Sequence, residues 1–311
     1  MVDREGCRVQ RVIAVGHGED RRHVGTGWLP DLPDIRDRTV KTSELVAPMV
    51  SRLVVTGKRK GSSSADVPAS ADLREFFPPV EDQGALGSCT ANAAAGLVEY
   101  LQMRTHGSYS DLSRLFLYKA TRSYLGLSGD TGAYLRSTMG ALRLFGAPPE
   151  RFWPYDTTRF EDEPPAFMYA FAENYKALEY FRLDPSGLSP AEVLASIKRH
   201  IASGLPSMFG FTVYENIQQS VNGDVAFPTA KERVLGGHAV CAVGYDDEAV
   251  IRHPVSGEQT TGALVLRNSW GPSWGTGGYG RLPYAYVESG LAEDFWVLVS
   301  AGFVELGIFD E

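Results

Sequence analysis

A cysteine stands where a helix is about to begin. Asp82-Gln83-Gly84-Ala85-Leu86-Gly87-Ser88-Cys89-Thr90-Ala91-Asn92-Ala93 places Cys89 after a glycine-punctuated turn and ahead of an Ala-rich run. A thiol in the first turn of a helix lies at the positive end of the helix dipole, which favours thiolate, the nucleophilic form. Attack on a carbonyl also needs a proton acceptor and donors for the developing oxyanion. Gly236-Gly237-His238-Ala239-Val240 offers the acceptor, His238, behind two glycines that let a ligand or another backbone approach closely. Leu266-Arg267-Asn268-Ser269-Trp270-Gly271 offers an amide, Asn268, that would hold one imidazole nitrogen and fix the ring. An uncharged amide suits a thiolate–imidazolium pair, which already contains one anion and one cation. Gln83 would donate its side-chain N–H to the oxyanion, with the Cys89 backbone N–H as second donor. Trp270 would lie over the His–Asn contact and exclude water.

Each of these residues also has a plainer reading. Gln83 can be a turn residue beside Gly84, Asn268 a turn residue before Gly271, and Trp270 or Trp274 ordinary core. For Trp274 the packing reading is preferred. His17, His23, His106, His200 and His253 read as surface or packing residues.

The elements that must position these groups follow from pattern. Cys89 to Thr105 carries apolar residues at helical spacing, as a buried helix would. Ser113–Tyr124, Tyr134–Phe145 and Ala166–Tyr175 also read as helices, the second stopped by Gly146-Ala147-Pro148-Pro149. Ser189 is an N-cap and Pro190 sits in the first turn of a further helix running to about Ser203. After Leu205 the pattern shifts to strands: Ser207–Val213, His238–Tyr245, Gly262–Arg267 and Phe295–Val299. Asp246-Asp247 reads as the start of a polar connection and Ser256-Gly257 as a turn. Helices first and strands second imply an α+β architecture of two lobes, with the nucleophile in one and the base and amide in the other. A site divided in that way lies in the cleft between them.

Residues 1–66 differ from the rest. Val9–Val15 reads as a short strand, and Gly25-Thr26-Gly27-Trp28-Leu29-Pro30-Asp31-Leu32-Pro33-Asp34-Ile35-Arg36-Asp37 as extended, because its prolines fix φ and restrict their predecessors. Thr42–Val55 reads as a short helix or strand pair and Gly57–Ser64 as linker. The whole stretch looks like an appendage to a domain.

With 311 residues, 43% hydrophobic and 22% charged, the chain can build an ordinary globular core. The net charge of −8 argues against a nucleic-acid footprint. Lys58-Arg59-Lys60 is the one dense basic cluster and reads as solvated linker. Three cysteines, Cys7, Cys89 and Cys241, allow at most one disulfide, Cys7 with Cys241, if Cys89 stays free. That suits a reducing compartment. The N-terminus lacks a secretory pattern, and no run approaches the roughly 18 apolar residues of a membrane helix. The expectation is a cytoplasmic protein. Scattered histidines and unspaced cysteines give no metal site, and no cofactor-binding loop stands out.

Four blocks in this order resemble the papain family of cysteine peptidases: Pro68-Ala69-Ser70-Ala71-Asp72-Leu73-Arg74, Gln83 to Cys89, the His238 block, and Asn268-Ser269-Trp270-Gly271 continuing through Trp274-Gly275 to Gly278-Tyr279. The resemblance covers most of residues 67–311. It implies a papain-like two-lobe fold, with a helical lobe over about 67–175 and a β-barrel-like lobe over about 176–311. It implies Cys89 as nucleophile, His238 as base and then acid, Asn268 as orienter and Gln83 as oxyanion donor, acting on peptide or protein substrates. Gly132, in Asp130-Thr131-Gly132-Ala133-Tyr134, sits where the family contacts substrate backbone; Gly237 and Trp270 are further substrate-side candidates. Leu86 replaces the family's usual cysteine three residues before the nucleophile, and Thr90 its usual aromatic. The Gly-Ser-Cys-Thr-Ala-Asn-Ala form looks like bacterial members, and Trp28 to Asp37 resembles the N-terminal segment of the xylellain-like subgroup. Residues 1–66 are then expected to act as an inhibitory prosegment, the alternative being a structural strap. A transpeptidase or amide ligase, or an inactive binding module on the same scaffold, are the competing functions.

Overall fold

The computed structural model describes residues 12–16, 21–41 and 67–301. Cys7, Thr42–Val55, Gly57–Ser64 and Lys58-Arg59-Lys60 lie outside the described residues. Two short strands open the chain, β1 (Val12–Val15) and β2 (Arg22–Gly25), paired antiparallel as a hairpin. Then come β3 (Ser70–Asp72), helices α1 (Cys89–His106), α2 (Arg114–Tyr124), α3 (Leu135–Leu144) and α4 (Ala166–Ala172), β4 (Ala177–Arg182) and helix α5 (Pro190–Ala202). Strands β5 (Ser207–Tyr214), β6 (Val234–Arg252), β7 (Gln259–Arg267) and β8 (Tyr279–Pro283), the short helix α6 (Tyr284–Glu288) and β9 (Ala292–Ala301) complete it.

Helix α1 is the central element. It is buried on nearly every side over its first three turns, and so reads as continuous Ala, Leu and Val where a surface helix would show a stripe. Gly107 ends it at φ 76°, a left-handed cap that glycine adopts without a Cβ clash. Helix α5 starts with a capping box: Ser189 accepts from Glu192 N while the Glu192 carboxylate accepts from Ser189 N.

The strands form one seven-stranded antiparallel sheet in the order β4-β9-β5-β6-β7-β8, with β3 added on β6. Strand β6 is longer than the sequence suggests. Asp246-Asp247 does not end it; pairing with β7 resumes at Val250 after an irregularity and runs to Arg252. Asp247 stays within the strand because Lys198 and Tyr284 take its carboxylate at 2.6 and 2.7 Å. Helix α4 stops at Ala172, short of Tyr175, and passes into a 3-10 turn. Cys241 is a free, buried thiol whose Sγ donates to Ala93 O.

One apolar cluster runs through α1, α2, α3 and the sheet, and it includes Ile13, Val15, Val24 and Trp28 from the N-terminal stretch. That stretch is therefore packed into the same core as the rest. Among the described residues no helix is long and apolar enough to cross a membrane.

Candidate active site

Cys89 is the first residue of α1, and its side chain is fully buried. Strand β6 carries His238 past it, so that the backbone N–H of Ala239 points at the sulfur. The turn at Glu81–Gln83 is zipped to Ser269–Gly271: Gln83 N donates to Ser269 O and Gly271 N to Glu81 O. This zipper brings Gln83, Cys89, His238, Asn268 and Trp270 to one seam between the helices and the sheet.

His238 Nε2 is 2.7 Å from Asn268 Oδ1. An amide oxygen only accepts, so Nε2 carries the hydrogen and Nδ1 holds a lone pair. Nδ1 has no hydrogen-bond partner. The Trp270 indole stacks on the imidazole, centroids 4.3 Å apart and planes 25° apart, and Trp274 meets Trp270 edge-on. Burial pushes the Cys89 thiol up to about 11 and His238 down to about 4. Both groups are held neutral, because each charged form would lack solvation.

Gln83 is oriented by three contacts. Its Oε1 accepts from Ser269 Oγ at 2.5 Å, and its Nε2 donates to Leu86 O at 2.7 Å and to Gly25 O at 3.2 Å. Gly25 O also accepts from Trp270 Nε1 at 3.2 Å.

The residues from Arg22 to Asp37 cross this seam. Gly25 N donates to Gly84 O at 2.8 Å, and Gly27 presents its N–H to the Cys89 sulfur. A Cβ on Gly27 would fall 2.0 Å from Gly87 O, and one on Gly25 2.2 Å from Leu86 O, so only glycine lets the two backbones approach this closely. Gly27 O accepts from Ala133 N and Leu29 N donates to Ala133 O, while Trp28 N donates to Gly237 O at 3.0 Å. Gly132 itself donates to Tyr118 Oη, so backbone pairing falls on Ala133, one residue beyond the position expected from sequence.

The Trp28 side chain is buried against Gly210 and Gly237, and its Nε1 donates to Asp294 Oδ2 at 3.2 Å. Asp294 also accepts from Trp296 Nε1 and pairs with Arg182 at 3.2 Å. Burial pushes its carboxyl up to about 7 against the pull of Arg182. Beyond Trp28, Arg136 binds Asp31 and Asp37, Arg182 binds Asp37 at 3.4 Å, and Arg38 binds Glu179 at 2.6 Å.

Sequence reading did not find Ala133, Asp294, Asp130 or Tyr155 at this site. Asp130 accepts from Gly87 N at 3.0 Å and from Tyr118 Oη, tying the Cys89 corner to the loop that bears Ala133. Asp130 and Tyr155 stand in loops and Asp294 in β9, where a lone acidic or aromatic side chain carries no periodic signal.

A helix-start thiol, an imidazole with a free ring nitrogen and an amide on the other nitrogen, set between helices and an antiparallel sheet, define a thiol-dependent acyl-transfer enzyme. Residues 67–297 match the family model described as papain family cysteine protease, and the chain belongs to that family. It is 32% identical, over 88% of its own length and 86% of the relative's, to an uncharacterised peptidase C1-like protein of Acanthamoeba polyphaga mimivirus. The structure of xylellain, a cysteine protease from Xylella fastidiosa, superposes with a TM-score of 0.68 at 32% identity, covering 93% of this chain and 100% of that one. Cathepsin J of Mus musculus is 28% identical over 70% of this chain and 60% of its own. The protein is a papain-like cysteine endopeptidase acting on peptide or protein substrates.

Proposed function

We propose that the full-length chain is a self-blocked precursor of this peptidase, with Cys89, His238, Asn268 and Gln83 as its working residues. His238 Nδ1 takes the proton of the Cys89 thiol. The sulfur adds to the peptide carbonyl, and the imidazolium returns the proton to the leaving amine as the C–N bond breaks. Water then hydrolyses the Cys89 thioester. Asn268 keeps the ring in the tautomer that leaves Nδ1 free, Gln83 Nε2 and the Cys89 N–H face the oxyanion, and Trp270 keeps water off the His–Asn contact.

The observation that carries this reading is the course of residues 25–28 over the Cys89 sulfur. The segment offers the sulfur the Gly27 amide N–H and so occupies the site. By excluding water it also keeps thiol and imidazole neutral, so the thiolate that would attack does not form. The Gly25 carbonyl already accepts from Gln83, as a substrate carbonyl would.

The test compares peptide turnover by the full-length chain with turnover by Trp28→Ala and by Cys89→Ala. Turnover that rises with Trp28→Ala and vanishes with Cys89→Ala supports the reading. Equal turnover by the full-length chain and Trp28→Ala removes the self-block, and turnover by Cys89→Ala removes the nucleophile.

A further inference from the structure

The two groups that would face the oxyanion sit on different pieces of backbone, the Gln83 turn and the start of α1. A side chain from a distant loop joins them. Tyr155 Oη lies 3.0 Å from Gln83 O and 2.6 Å from Ser88 Oγ, the residue before Cys89. A carbonyl only accepts, so the single phenol hydrogen goes to Gln83 O. The phenol oxygen then accepts the Ser88 hydroxyl hydrogen, and Ser88 Oγ in turn accepts from Asn92 Nδ2 at 3.1 Å. The result is a chain from Asn92 through Ser88 and Tyr155 to Gln83, and Asn92 Nδ2 also donates to Ser88 O at 3.0 Å.

Tyr155 is itself held by two further contacts. Its N–H donates to Glu150 Oε1 at 2.6 Å. The Arg114 guanidinium lies over its ring, 4.4 Å from the centroid, and is fixed there by Glu81 at 3.0 Å and Glu150 at 3.2 Å. Such restraint places the hydroxyl, whereas a ring needed only for packing would be served equally by phenylalanine. Both of the hydroxyl's contacts are to the two segments that carry the oxyanion donors.

We infer that Tyr155 is a positioning residue that sets the spacing between the Gln83 amide and the Cys89 N–H. The inference rests on the oxyanion role proposed for Gln83. Loss of the hydroxyl strands Gln83 O, leaves the Ser88 hydroxyl hydrogen without its acceptor and frees the turn to drift from the helix start, and a displacement of about 1 Å already weakens such a contact severely.

The experiment uses the full-length chain and measures two reactions of the same sulfur. Peptide hydrolysis passes through an oxyanion. Alkylation by iodoacetamide forms the S–C bond as iodide leaves with the bonding pair, and makes no oxyanion. Both require the N-terminal segment to lift from the site, so the ratio of the two rates cancels the open fraction. Tyr155→Phe is expected to lower that ratio about tenfold, as is Ser88→Ala, and the double variant no further, because both break one chain. Gln83→Ala is expected to lower it by about 10²–10³, the usual loss for an oxyanion donor.

A Tyr155→Phe ratio within about twofold of wild type overturns the inference, and so do two rates that fall in parallel, since that is what a purely structural role would produce. If Gln83→Ala lowers the ratio while Tyr155→Phe does not, the positioning role alone falls. If Gln83→Ala leaves it unchanged, the oxyanion reading falls and takes the inference with it.

Discussion

Asn268 illustrates how much one side chain can decide. Its Oδ1 accepts from both His238 Nε2 and its neighbour Ser269 N, each at 2.7 Å. The first contact selects the tautomer with a bare Nδ1; the second keeps the amide from rotating. Asn268→Ala is expected to lower peptide turnover about 10²-fold, within the range for a misplaced general base, while Asn268→Asp, which keeps an acceptor, retains most of the rate. Turnover of both variants in the same N-terminal background checks this, and equal losses would show that the acceptor is not what matters. The two described thiols should also behave differently. Cys241 is walled in behind α1 with burial pushing it up to about 12, and no moving segment covers it. Mass mapping after native alkylation is expected to find label on Cys89 well before Cys241.

At the scale of elements, the N-terminal segment is held by two kinds of contact, and each makes a prediction. Trp28 fills a space where any side chain on Gly210 would collide with its indole, at 1.9 Å for a Cβ. Truncating a buried tryptophan to alanine costs about 3–5 kcal/mol. Most of that cost falls on the closed state, so Trp28→Ala is expected to raise peptide turnover at least 10²-fold. Asp37 is the second hold, bound by Arg136 at 2.7 Å and by Arg182. A hydrogen bond to a charged partner contributes about 2 kcal/mol, so Asp37→Ala should raise turnover by about thirtyfold. An effect below threefold in either variant would mean that the segment is anchored elsewhere.

The course of this segment was legible in sequence only as far as Pro33; Asp34 to Asp37, read as extended, close a turn in which Asp37 N donates to Asp34 O. The segment's destination was not legible. The partners lie 58 to 266 residues away, as with Gly25 and Gln83 or Trp28 and Asp294, and glycines that permit close approach leave no hydrophobic pattern. The Cys89, His238 and Asn268 blocks were legible because each pairs a chemical group with its own local punctuation. The passage of β6 through Asp246-Asp247 was not, since two carboxylates read as solvent until Lys198 and Tyr284 are placed beside them.

For the molecule as a whole, the proposed closed and open states would differ in protonation, and the signs can be worked out. In the closed state His238 stays neutral down to about pH 4; once uncovered it returns toward its ordinary value near 6.5. Opening therefore takes up a proton between those limits, and His238 alone would make acid favour opening. Asp294, under the Trp28 indole, has the opposite sign. Its carboxyl is held up at about 7 when closed and falls back toward 3.8 when uncovered, so opening sheds a proton over nearly the same range. One proton gained and one lost leave the opening equilibrium nearly flat between about pH 4 and 6.5. Above about pH 9 the uncovered Cys89 thiol ionises while the covered one does not until about 11, so alkali favours opening. Asp294→Asn removes the compensating group but keeps an acceptor for Trp28, and the His238 contribution then stands alone. Hydrogen exchange of residues 25–29, corrected for intrinsic rates, should show opening in the wild-type chain changing little from pH 6.5 to 4. In Asp294→Asn it should rise about tenfold per unit of acidification. A wild-type chain that opens steeply in acid would show that Asp294 does not balance His238.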